Sequence, residues 1–166
     1  GLPWTPPSPN LPTLATATVY PGIAILEFLN LSVGRGTDAP FLTLGAPFLA
    51  GEHLARHLTS SEFPGVRFSP IHFTPSKSIF ANQTCRGIRI QITDRDLCMP
   101  LEIAMEIAHY LAREHRVESH FEAKANVLLL HSKTLEALLL NQPIAPWNAD
   151  RAAFMQRRKR FLLYPM

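Results

Sequence analysis

The sequence has few charged residues, few cysteines and no long apolar run. Only 17% of its 166 residues are charged and 46% are hydrophobic, so the composition indicates a folded domain with a sizeable core and excludes a disordered tail. The formal net charge of +3 is too small to indicate nucleic acid as a partner. No apolar run approaches the roughly 18 residues of a membrane-spanning helix, so we predict no membrane span.

The two cysteines, Cys85 and Cys98, limit the redox chemistry that the chain can perform. Neither has a second cysteine at metal-ligand spacing, and we expect two free, partly buried thiols, although one disulfide stays an open alternative. No signal-peptide pattern opens the chain. Its first residue is Gly1 and not Met, so we expect that the chain has been cut from a longer protein.

Two residue sets have features of binding sites. His53 and His57 have the i, i+4 spacing that can hold one metal ion, but Glu52 precedes the first histidine and no third ligand is evident. The basic run over residues 157–160 is explained by the dipole at the end of a predicted helix. We therefore predict no metal, no cofactor and no nucleic acid.

Periodicity predicts an α+β fold with a mixed or mainly antiparallel sheet and packed helices. Five prolines among the first thirteen residues indicate an extended arm over residues 1–14. We predict a strand pair or bulged strand at 17–30, strands at 40–49, 65–76 (an edge strand) and 87–96, and helices at 51–63, 99–116, from Thr134 to Pro143, and from an Asn148 N-cap to 163.

Carboxylates at predicted strand ends are the candidates for acid and base chemistry. Glu27 interrupts an apolar strand, where a glutamate must be exposed, paired or perturbed. Glycosidases commonly use two carboxylates on one sugar bond, and Glu27 would supply half of such a pair. Asp94 and Asp96 follow the strand at 87–96 and precede a helix, so each is equally well interpreted as a helix cap.

The polar stretch over residues 30–41 is the second candidate site. Gly34 and Gly36 free the backbone, and the stretch offers four hydrogen-bonding side chains: Asn30, Ser32, Arg35 and Thr37. These groups would present a ligand-binding surface. The alternative is a turn held by an internal ion pair of Arg35 with Asp38 or Asp94.

Several motifs occur in an order that resembles one enzyme family. They are PSPN at 7–10, S-x-G-R-G-T-x-x-P-F at 32–41, TDRD at 93–96 and RRKRFLLYP at 157–165. Together they resemble the C-terminal half of the exo-β-N-acetylmuramidases of the NamZ type, bacterial glycosidases that act on peptidoglycan. The resemblance covers nearly the whole chain.

The resemblance implies a two-domain enzyme with its active cleft between the domains. Residues 1–166 would be one domain that forms a cleft wall, and the N-terminal Rossmann-like half, expected to hold the main catalytic glutamates, is absent. The isolated chain is then expected to be inactive. The alternative is a non-catalytic carbohydrate-binding or scaffolding module. The resemblance also implies a bacterial cell envelope or extracellular location, with the cytoplasm left open.

The implied ligand is a muramyl sugar, whose lactyl carboxylate suits an arginine fork. Glu27 is the catalytic candidate in this half, and the substrate-binding candidates are Asn30, Ser32, Arg35, Thr37, Asp94 and Arg95. The sequence departs from the family at Phe28 and Leu29, which replace a glycine and a threonine. We expect these two residues to help form an exposed apolar patch that drives dimerisation of the fragment.

Overall fold

The computed structural model describes residues 3–119, 129, 131–140, 142 and 148–164. Helices and strands are mixed along the chain. Their bounds are α1 Leu14–Ile23, a 3-10 helix Ala24–Phe28, β1 Thr43–Ala46, α2 Gly51–Ser60, β2 Val66–Phe73, β3 Cys85–Ile92, α3 Pro100–Glu114, α4 Ser132–Leu139, α5 Asn148–Arg158 and a 3-10 helix Lys159–Phe161.

The three strands form an antiparallel sheet in the order β1-β3-β2. Thr43 pairs with Arg89 on one side of β3, and Val66 pairs with Ile92 on the other. The alternation predicted for β3 is present, because Ile88 and Ile90 are buried in the core. The α+β class and the edge position of β2 are therefore confirmed.

Helices α1, α2 and α3 enclose the core with the sheet. The apolar side of α3 buries Ile103 and Ile107 completely, and Pro100 occupies the first turn of this helix, as predicted. Helix α1 approaches α3 closely at Gly22, where an added Cβ atom would lie 1.9 Å from the carbonyl oxygen of Pro100. Only glycine permits this contact between the two backbones.

The predicted strand at 17–30 is wrong, because this segment is helical. The side chain of Thr13 accepts a hydrogen bond from the Thr16 N–H and caps α1. Val19, Ile23 and Leu26 follow at i, i+4 and i+7 and are all fully buried, so helical packing decides the conformation. Glu27 accordingly lies in a 3-10 helix and not in a strand.

Other predicted boundaries differ by a few residues. Residues 3–13 contain no regular element, and within them the Trp4 indole N–H donates to the Leu11 carbonyl at 3.2 Å. Helix α4 begins at Ser132, and the predicted stop at Pro143 lies outside the described residues. Asn148 was predicted as an N-cap, but it is the first helical residue of α5.

The predicted apolar patch at Phe28 and Leu29 is also wrong. Leu29 is only 4% exposed and belongs to the hydrophobic core, and Phe28 is half-buried. Dimerisation of the fragment stays a prediction, and the patch that was expected to drive it is not exposed. Exposed apolar side chains lie elsewhere, among them Trp4, Tyr20, Leu97 and Val117 and, toward the end of the chain, Phe154, Phe161, Leu163 and Tyr164. Within the described ranges, no helix has the length and apolar character needed to cross a membrane.

Candidate functional site

The polar stretch is a tight loop whose two glycines are required by geometry. Gly34 and Gly36 have φ values of 75° and 82°, in the left-handed region. A Cβ atom on Gly34 would lie 2.6 Å from the Thr43 carbonyl oxygen, and one on Gly36 would lie 2.5 Å from the Lys77 nitrogen. The loop is therefore pressed against β1 and against the segment before β3.

Two of the predicted ligand-binding hydroxyls shape this loop from within. Ser32 is buried, its backbone exchanges two hydrogen bonds with Gly45, and its hydroxyl accepts the Gly34 N–H at 3.3 Å. The Thr37 hydroxyl donates to the Gly34 carbonyl at 2.7 Å and accepts the Ala39 N–H at 3.2 Å. In this structure both side chains hold the loop conformation.

Arg35 and Glu27 form the centre of the site. The Arg35 Nε donates to Oε1 of Glu27, and Nη2 donates to Oε2 at 3.1 Å, so the pair is bidentate. The side chains are 30% and 28% exposed. Sequence reasoning paired Arg35 with other partners, but Asp38 binds Arg89 at 3.2 Å and the Asp94 carboxylate accepts the Asp96 N–H at 2.9 Å.

An aromatic base supports the guanidinium. The ring of Phe41 is fully buried, and the Arg35 Cζ lies 4.9 Å from its centroid. Tyr20 meets the same ring edge-on, with 4.9 Å between the centroids. The hydrogen bond with Glu27 is the main cause that raises the pKa of Arg35; burial acts against it, and the charge of Glu27 and the Tyr20 phenol add to it.

The remaining predicted site residues have contacts of their own. The Asn30 side chain donates to the Glu118 carbonyl, beyond the end of α3. Asp94 and Arg95 follow β3, where the Asp94 N–H donates to the Gly65 carbonyl and Arg95 contacts Asp96 at 3.4 Å. The alternative role of Asp94 and Asp96 as caps of α3 is wrong, because Met99 precedes that helix and no side chain caps it.

The histidines and cysteines were the candidates for metal binding and thiol chemistry. His57 hydrogen-bonds Glu106 on α3 at 2.6 Å. Across the part of the chain that the structure describes, no group of three or more His, Cys, Asp and Glu side chains could hold a metal ion. Both cysteines are free thiols, and burial raises the pKa of Cys85 to about 11.

Two neighbours of the Arg35–Glu27 pair were missed by sequence reasoning: Tyr20 and Phe41. Tyr20 was hidden by the incorrect strand prediction, since its position beside Phe41 depends on α1. Phe41 adopts φ 62°, which is uncommon for a residue other than glycine and has no sequence pattern.

The geometry defines what the site can bind. Arg35 uses Nε and Nη2 for Glu27, and its Nη1 has no protein partner among the described residues. A half-exposed guanidinium with unused donors suits a carboxylate or a cluster of hydroxyl groups. The fold and the site thus define a class: an α+β domain with an arginine-centred polar loop.

The chain belongs to the family described as "Exo-beta-N-acetylmuramidase NamZ, C-terminal", whose model matches residues 18–164. A curated relative, "Peptidoglycan beta-N-acetylmuramidase NamZ" of Bacillus subtilis (strain 168), is 30% identical over 169 residues. That match covers 98% of this chain but 41% of the relative, so the chain spans about two-fifths of the relative's length.

Two solved structures share the fold, both of DUF1343 family proteins from Bacteroides fragilis NCTC 9343. The first has a TM-score of 0.77 at 23% identity, and the match covers 99% of this chain and 46% of the solved chain. The second has a TM-score of 0.70 at 25% identity, and the match covers 96% of this chain and 43% of the solved chain. The architecture found here is therefore the architecture of one part of larger proteins.

Proposed function

We propose that this chain is the C-terminal domain of an exo-β-N-acetylmuramidase and that it forms one wall of the cleft that binds a muramyl sugar. Family membership and the activity named for the Bacillus subtilis relative support the reaction class. One observation carries the cleft-wall role. The guanidinium of Arg35 is held half-exposed by Glu27, with donors left over for a ligand.

The proposed contact follows from the chemistry of muramic acid. Its lactyl group carries a carboxylate, and a fixed guanidinium binds such a group more selectively than a flexible ammonium would. Glu27 orients Arg35 from one side, and Phe41 supports it from below at 4.9 Å. The preorganised arginine therefore loses little side-chain entropy when the ligand arrives.

Glu27 then has a positioning role in this account. Both of its carboxylate oxygens accept hydrogen bonds from Arg35, so the carboxylate holds the guanidinium in a fixed orientation. We place the principal acid and base of glycoside hydrolysis in an N-terminal domain that completes the cleft. A cell envelope or extracellular location is part of the same proposal.

A non-catalytic carbohydrate-binding module is the second candidate. The engagement of Glu27 by Arg35 favours it as well, because the described site has no carboxylate left uncommitted beside the arginine. The two candidates differ in what a partner domain adds. A cleft wall gains hydrolytic activity when it is joined to that domain, whereas a binding module does not.

The test measures release of N-acetylmuramic acid from a MurNAc-GlcNAc disaccharide. One protein is this chain alone, and the other is this chain joined to the N-terminal half of the Bacillus subtilis relative. We expect release by the joined protein only. The matched control joins the same half to a chain carrying Gly34→Ala, which distorts the loop. Release by the chain alone would contradict the proposal, and so would equal rates from both joined proteins.

A further inference from the structure

Tyr20 is an exposed aromatic side chain beside the Arg35–Glu27 pair. It is 40% exposed, and its ring stands edge-on to Phe41 at an interplanar angle of 87°. The guanidinium of Arg35 lies over that same Phe41 ring. Tyr20 and Arg35 are therefore neighbours that share one aromatic support, and both have surface open to solvent.

The shared support is held rigidly. Phe41 is fully buried in a left-handed backbone conformation, and its N–H donates to the Val33 carbonyl at 2.7 Å. A bulky residue keeps such a conformation only where surrounding contacts fix it, and such positions concentrate at functional sites. The position of the Tyr20 ring is fixed in turn by this edge-on contact and by its place on α1.

The combination fits a sugar ring that carries an acidic group. One face of a pyranose is covered by C–H groups, which pack on the electron-rich face of an aromatic ring, while its substituents at the rim are polar. We propose that Tyr20 is the stacking platform of a sugar subsite, on which the pyranose lies while Arg35 binds the acidic substituent. This inference rests on the proposed function and assigns the sugar ring its own contact.

The two residues are expected to recognise different parts of the ligand. Tyr20 would contact the ring, which N-acetylmuramic acid and N-acetylglucosamine have in common. Arg35 would contact the lactyl carboxylate, which only N-acetylmuramic acid carries. Loss of Tyr20 should therefore weaken both sugars alike, and loss of Arg35 should abolish the preference between them.

The experiment titrates the 166-residue chain with the methyl glycosides of these two sugars. We expect a Kd of about 1 mM for the muramic acid glycoside, which suits a small ligand on one cleft wall. Tyr20→Ala should weaken both glycosides by about tenfold, and Tyr20→Phe should stay within about twofold of the unchanged chain. Tyr164→Ala, at an 81% exposed tyrosine near the end of the chain, is the matched control and should change neither Kd.

Tyr20→Trp provides a second readout that does not depend on the alanine variant remaining folded. Its fluorescence should shift when either sugar is added, by more than the fluorescence of the unchanged chain, which already contains Trp4 and Trp147. Thermal unfolding should show that the variant is folded. Unchanged affinity of Tyr20→Ala for both sugars would overturn the inference, and so would the absence of saturable binding by the unchanged chain. Equal weakening of both sugars, without any preference for the acidic one, would support Tyr20 and contradict the proposed muramyl specificity.

Discussion

At the residue scale, backbone conformation determines which side chains the loop can present. Gly34 turns the chain so that Arg35 meets Glu27, and Ser32 and Thr37 hold that turn through Gly34 itself. Hydroxyl groups predicted to meet a ligand are thus used inside the loop. The arginine is the group whose donors exceed its protein contacts.

Replacing Gly34 tests this dependence on the loop backbone. Gly34→Ala is expected to lower the free energy of unfolding by about 2 kcal/mol, because the residue has a positive φ and the new Cβ meets the Thr43 carbonyl. Urea unfolding measures the change. Glu62→Gly is the matched control with the opposite expected sign. Glu62 is exposed and has a φ of 52° after α2, a conformation that glycine adopts more easily, so this substitution should raise the free energy of unfolding by about 1 kcal/mol. Stability changes of the same sign would contradict the argument.

The Cys85 thiol gives a pH dependence at the same scale. Burial raises its pKa from 9.0 to about 11, so between these values the unfolded chain releases the thiol proton while the folded chain keeps it. The free energy of unfolding should therefore fall as pH rises through this range. Urea unfolding below pH 9.0 and near pH 11 measures the fall, which should be smaller in Cys85→Ala. An identical pH dependence in the variant would contradict this prediction.

At the element scale, the segments with one clear period were predictable. Strict alternation identified β3, and apolar residues on one helical face together with Pro100 identified α3. Helix α1 was missed because β-branched residues and Pro-Gly favoured a strand, although Val19, Ile23 and Leu26 already had helical spacing. The close approach of Gly22 to Pro100 is tertiary, so no local pattern reveals it.

The packing of α3 can be tested directly. Ile107 is fully buried in the core, so Ile107→Ala should lower the free energy of unfolding by about 3 kcal/mol through lost burial and a cavity. Val117→Ala, at an 83% exposed position after the helix, should change it by less than about 0.5 kcal/mol. Thermal or urea unfolding compares the two. Equal losses would mean that α3 does not pack as described.

At the scale of the whole molecule, the chain corresponds to one part of each relative. The matches cover 96–99% of this chain but only 41–46% of each relative. Sequence motifs were sufficient to identify the family, because they are spread along most of the chain. They could not reveal that Arg35 pairs with Glu27, since that contact depends on the helical course of residues 14–28 and on the loop.

In the proposed function, Arg35 binds the lactyl carboxylate of a muramyl sugar. The most direct measurement compares the binding of N-acetylmuramic acid with that of its lactyl methyl ester, which has no negative charge. The unchanged chain should prefer the acid by about tenfold, and Arg35→Ala should lose the preference. Arg89→Ala, which removes another arginine paired with a carboxylate, should keep it. A preference that survives in Arg35→Ala, or that is absent from the unchanged chain, would contradict the account.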